Sequence, residues 1–148
     1  MEENSIKNQD RLDIEADLEN LPVVTDFVEQ RVRKLNSSQK EVSQTLIVTE
    51  ELFANIASYA YGQDTGMATL IVEISRDDNS IEITFIDSGV RYNPLDKEDP
   101  DITLKAKERQ KGGLGIFFVR KKVDSIIYRY EEGKNILTIE KTFRGNDR

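Results

Sequence analysis

Three short stretches hold residue types that could do chemistry together. Glu51 and Asn55 stand four apart in Glu51-Leu52-Phe53-Ala54-Asn55, and on a helix that spacing stacks the two side chains one above the other. A carboxylate can take a proton, and a carboxamide oxygen can join the shell of a hard cation such as magnesium. One helical face could then serve a nucleotide reaction, although two solvated residues on a wet face would show the same spacing. Asp87-Ser88-Gly89 is the second stretch. A carboxylate at a strand end can accept a hydrogen bond from an exocyclic amino group such as adenine's, with Gly89 clearing room for the ring; Asp-Ser-Gly is equally a common turn. Gly112-Gly113-Leu114-Gly115 is the third. At a helix start, such a run lets a phosphate approach unsatisfied backbone N–H groups closely. Arg109 and Lys111, with Lys105 and Lys107 further back, could add charge at the outer phosphates. Gly-rich helix starts also occur without any ligand.

Each stretch needs an element to position it. Leu12, Ile14 and Ala16 alternate with acidic residues as in a half-buried strand, after a polar segment of residues 1–9 expected to be frayed. Asn20 can cap a helix with Pro22 in its first turn, and Leu21, Val24, Phe27, Val28, Val32 and Leu35 carry helical spacing to Asn36. Ser38 and Glu41 make a capping-box signature for a second helix, with a stripe of Val42, Leu46, Thr49, Phe53, Ile56 and Ala60 ending at Gly62. Glu51 and Asn55 lie outside that stripe, at its margin. Leu70, Val72 and Ile74, then Ile81, Ile83 and Phe85, alternate on either side of a polar turn and predict a hairpin that ends at Asp87. Residues 91–111 are poor in apolar residues and broken by Pro94 and Pro100, which predicts a mobile loop. A short helix follows from Gly112, then strands over about 125–131 and 135–143 joined near Gly133, then a charged tail at 144–148. The expectation is α+β: a two-layer sandwich with helices on one face of a mixed, mostly antiparallel sheet.

Bulk composition narrows the function classes. The 148 residues suit one domain spanning the chain. With 21 basic against 28 acidic residues and a net charge of -7, general attraction to nucleic acid or to anionic membrane is not expected. No cysteine is present, which removes disulfides, thiolate metal sites and cysteine nucleophiles. Histidine is also absent. That excludes a Ser-His-Asp hydrolase, His-ligated metals and autophosphorylation on histidine. No apolar run approaches the roughly 18 residues needed to span a bilayer, and the N-terminus lacks a signal pattern, so a soluble, cytoplasmic protein is expected.

Taken in order, the three stretches resemble the GHKL ATP-binding superfamily, and within it the bacterial anti-sigma factors that are serine/threonine protein kinases. The resemblance covers residues 10 to 143: Glu51-x-x-x-Asn55 as the N box, Asp87-Ser88-Gly89 through Asn93-Pro94 as the first glycine box, and Gly112 to Ile116 through Arg120 as the second. It implies ATP and magnesium as cofactors, with Asn55 on the metal, Asp87 and Gly89 at adenine, and Gly112, Gly113, Leu114 and Gly115 at the phosphates. Residues 91–111 would be the ATP lid, carrying Arg109 and Lys111; Glu51 would be the kinase's base and Thr138 a pocket residue. The implied partners are an anti-anti-sigma antagonist as substrate and a sigma factor, with a homodimer formed through the first strand and helix. Many superfamily members have a glycine where Arg91 stands and a histidine or other polar residue where Tyr59 stands. Two other functions fit the same residues: a non-catalytic, nucleotide-dependent binding module, and a simple ATPase, which the short chain without a transducer domain disfavours.

Overall fold

The strands pack by the parity of their apolar residues. The computed structural model describes residues 7–96 and 113–146. Its sheet comprises β1 (Lys7–Glu15), β2 (Met67–Ser75), β3 (Ser80–Asp87), β4 (Ser125–Glu131) and β5 (Lys134–Thr142). The order is β1-β2-β3-β5-β4, and every neighbouring pair is antiparallel, so the parallel component allowed for in a mixed sheet is not present among the described residues. Leu70, Val72 and Ile74 of β2, Ile81, Ile83 and Phe85 of β3, and Ile139 of β5 turn inward and are buried. The helices α1 (Leu21–Val32), α2 (Gln39–Tyr59) and α3 (Gly113–Lys122) cover that face. Val24, Val28 and Val32 of α1, spaced at one helical turn, lie fully buried, and Val42, Val48, Leu52 and Phe53 of α2 complete the core.

Several local expectations change. β1 begins at Lys7, inside the segment expected to fray, because its backbone is paired with β2 from Ser75 onward. Asn20 does not cap α1: a 3-10 turn at Leu18–Asn20, capped by the Asp17 side chain on Glu19 N (2.9 Å), runs straight into the helix, and Asn20 Nδ2 instead donates to Glu15 O. α1 stops at Val32, short of Asn36. The Asn36 backbone is taken by the Asn79 carboxamide, which accepts from Asn36 N and donates to Asn36 O, each at 2.9 Å. The capping box at α2 forms as expected, with Ser38 N on Glu41 Oε1 (2.9 Å) and Glu41 N on Ser38 Oγ (3.1 Å). Glu41 also accepts from Arg144 N (2.7 Å) and Gly145 N (3.0 Å), so the first residues of the expected C-terminal tail are tied to the start of α2. The β4–β5 turn has Glu132 and Gly133 at φ 52° and 78°, the left-handed pair a two-residue hairpin needs. Among the described residues no helix is long and apolar enough to cross a membrane.

Candidate functional site

Inward parity does not end with the core. Ile81, Ile83, Phe85 and Asp87 share one face of β3, so the strand that buries three apolar side chains delivers a carboxylate to the same layer, where Asp87 is only 7% exposed. Opposite it in the β3–β5 register stands Asn135, also 7% exposed. Together with the C-terminal half of α2 these strands line a cleft that opens to solvent. Leu52, Ile56, Phe85 and Leu137 give it apolar walls, Tyr59, Val90, Tyr92 and Tyr128 line it further, and Asn55, Asp87 and Asn135 supply the polar groups. An apolar pocket with a few convergent polar groups is the usual form of a small-molecule site.

The polar groups are held firmly. Asp87 Oδ1 accepts from Gly89 N and Asn135 Nδ2, both at 2.9 Å, whereas Oδ2 has no partner among the described residues. That leaves one carboxylate oxygen to accept from a ligand donor entering the cleft. Asn135 is saturated: Nδ2 also donates to Val90 O (2.9 Å), and Oδ1 accepts from Tyr92 N (3.0 Å) and Tyr128 Oη (2.5 Å). Burial pushes the Tyr128 hydroxyl above its usual value, with the Tyr92 N–H and the Arg91 charge opposing that shift, so it remains a donor at neutral pH. Tyr61 Oη accepts from Ser88 N (2.9 Å) and donates to Met67 O (2.6 Å), clamping the turn after β3 from its other side.

Asn55 lines the cleft, half-buried on α2, and no group among the described residues bonds its carboxamide. Glu51 lies one turn nearer the helix N-terminus and does not line the cleft; its carboxylate sits against Gly115, where an added Cβ would run into Oε1. α2 and α3 pack on each other, and the glycine is what allows the carboxylate into the first turn of α3. Asn55 and Asp87 thus line one cleft, and Glu51, one helical turn from Asn55 on α2, meets Gly115. Gly113 and Leu114 are in the same first turn, and Arg109, Lys111 and Gly112 lie outside the described residues.

Three expectations are corrected. Thr138 is on the other face of the sheet from Asp87: it pairs with Thr84, and the two hydroxyls share a hydrogen bond of 3.1 Å. Strand parity is the reason, since Leu137 and Ile139 face inward and Thr138, between them, cannot. The polar residue that does share the inward face is Asn135, and the same parity counted back from Ile139 and Leu137 was the signal for it. Gly89 does not clear room for a ring. A side chain there would overlap the carbonyl of Ala60 at the end of α2, which also accepts from Val90 N (2.8 Å). Finally, the start of the loop is anchored: Leu95 N bonds Asn93 Oδ1 (2.9 Å), Arg120 of α3 donates to Leu95 O (2.6 Å), and Pro94–Asp96 form a 3-10 turn. Residues 97–111 lie outside the described residues. Arg91 lays its guanidinium 4.7 Å over the Tyr130 ring and does not line the cleft. Tyr59 packs against Tyr92 with ring centroids 6.3 Å apart.

The model of the histidine kinase-like ATPase domain matches residues 14–141. No curated protein matches the chain. Among solved structures the chain is similar to the crystal structure of the RsbU and RsbW domains of Rv1364c from Mycobacterium tuberculosis, with a TM-score of 0.64 and 11% identity over 91% of this chain and 32% of that one. At that identity the likeness is one of fold, and the chain spans about a third of the length of the solved chain it resembles.

Proposed function

The chain belongs to the histidine kinase-like ATPase domain family, and from that premise we propose that it is an ATP- and magnesium-dependent serine/threonine protein kinase that phosphorylates an antagonist protein and sequesters a sigma factor. The observation that carries the nucleotide part is the buried Asp87, whose Oδ2 has no partner among the described residues, in an apolar cleft. An exocyclic amino group of a purine supplies the missing donor, and the apolar walls take the ring. Asn55, on the same cleft wall with its carboxamide unengaged among the described residues, fits a single protein ligand to magnesium, which keeps most of its shell for water and phosphate oxygens. The metal would supply charge neutralisation where a triphosphate comes near the Glu51 carboxylate.

Gly113, Leu114 and Gly115 begin α3, whose N-terminal N–H groups favour phosphate, and Arg109, Lys111 and Gly112 precede them in sequence. Glu51, one turn from Asn55, is the residue to orient or accept the proton of an attacking hydroxyl. Positioning carries most of the catalysis in phosphoryl transfer, so an ordinary carboxylate suffices. The antagonist, the sigma factor and a cytoplasmic setting come from the resemblance to anti-sigma factor kinases. A second reading is favoured by one observation: Glu51 lies outside the cleft, against Gly115, as it would in a nucleotide-dependent binding module that does no chemistry.

Calorimetric titration with ATP, with and without magnesium, tests the pocket. Asp87→Asn should abolish binding yet remain folded, because an amide oxygen can keep the bonds from Gly89 N and Asn135 Nδ2 while its nitrogen meets the base donor to donor. Asn55→Ala should remove the magnesium dependence. Transfer of labelled phosphate from ATP to an antagonist protein, lost in Glu51→Ala with ATP binding retained, separates kinase from binding module. No wild-type binding at millimolar ATP would end the nucleotide reading.

A further inference from the structure

The cleft offers a ligand only one oxygen of its carboxylate. Asp87 Oδ1 already accepts two N–H donors, from Gly89 and from Asn135, at 2.9 Å each, which fills both of its lone-pair directions. Asn135 has no freedom to release it. Its carboxamide is held at both ends, by Tyr92 N and Tyr128 Oη on the oxygen and by Val90 O on the nitrogen, so its Nδ2 stays aimed at Asp87. We propose that Asn135 is a specificity-positioning residue: by occupying Asp87 Oδ1 it limits the cleft to bases that present one N–H donor beside an acceptor, and so excludes guanine. The inference rests on the nucleotide reading above.

Base chemistry supplies the discrimination. Adenine presents its N6 amino group beside the N1 acceptor, and Oδ2 alone satisfies that single donor. Guanine presents N1–H and the N2 amino group side by side, a pair that matches both oxygens of a free carboxylate. With Oδ1 filled, one guanine donor is left without a protein partner beside the apolar walls, and a donor left unmade costs more than an average hydrogen bond contributes. Cytosine, with an amino group beside the N3 acceptor, has adenine's donor pattern on a smaller ring. Asn135 therefore separates adenine from guanine and not adenine from cytosine.

The test is calorimetric binding of ATP, GTP and CTP, each with magnesium, to the wild-type chain and to Asn135→Leu, with Asn135→Ala as a second variant and thermal melts to establish folding. Wild type should prefer ATP over GTP. In the variants that ratio should fall by roughly tenfold or more, the worth of one charge-assisted hydrogen bond, with the ATP-to-CTP ratio unchanged. A merely supporting role for Asn135 would weaken all three nucleotides in proportion, and that outcome overturns the proposal, as does a wild type that binds GTP as well as ATP. If wild type binds none of the three, the nucleotide reading itself fails and this inference falls with it.

Discussion

Gly89 has no space for a side chain, because the carbonyl of Ala60 occupies it and takes the hydrogen bond of Val90 N (2.8 Å). The obstacle is backbone at the end of α2, so it cannot rotate away as a side chain would. Gly89→Ala should therefore destabilise the fold by about 2 kcal/mol or more, through overpacking and loss of that hydrogen bond. Urea unfolding with an unchanged slope and a lowered midpoint is the expected result; a loss within about 0.5 kcal/mol would show that α2 can move off the turn. The contrast with Gly115 is instructive, since what a Cβ meets there is the far end of the Glu51 side chain. One glycine serves the fold and the other leaves a carboxylate its place. In the sequence both read only as glycines near a ligand, because what approaches them comes from residues far away in the chain.

At the scale of elements, Glu41 joins the start of α2 to the C-terminal segment. Its carboxyl is partly desolvated, which pushes it up, but the N–H groups of Ser38, Arg144 and Gly145 and the Ser38 hydroxyl together outweigh this and hold it below the usual carboxylate range. A group whose folded value is depressed contributes stability that is complete above its unfolded value, about pH 4.3 for Glu, and that is lost as pH falls through the folded value. Glu41→Gln should be less stable than wild type at neutral pH, with the gap closing as the pH is lowered below about 4. Urea midpoints across pH 3 to 7 measure this, and a gap independent of pH would sink it. Half of this joint was legible in advance: the Ser38 to Glu41 spacing announced the cap. The docking of Arg144 and Gly145 was not, because a charged C-terminal run gives no sign of backbone N–H groups aimed at a carboxylate more than a hundred residues away.

At the scale of the whole molecule, β1 is an edge strand, and Leu18, which follows it in the chain, and Val23 of α1 are 50% and 51% exposed. An open edge next to apolar side chains is a ready surface for a second copy. We expect a homodimer through β1 and α1, seen by light scattering coupled to chromatography and shifted towards monomer by Val23→Lys; a monomer at high concentration would overturn it. The sequence by itself determined the layers, since alternation and helical spacing state which side chains leave water, and burial of those side chains drives the fold. It also determined that Asp87 follows three inward residues on its strand, and that Glu51 and Asn55 share a helical turn. Only the tertiary structure decided what completes the site. The meeting of Asn135 with Asp87, the carbonyl at Gly89 and the carboxylate at Gly115 all depend on which distant residues meet across strand register and helix packing. Local patterns encode which side a residue faces, whereas its partner is set by the chain closing on itself.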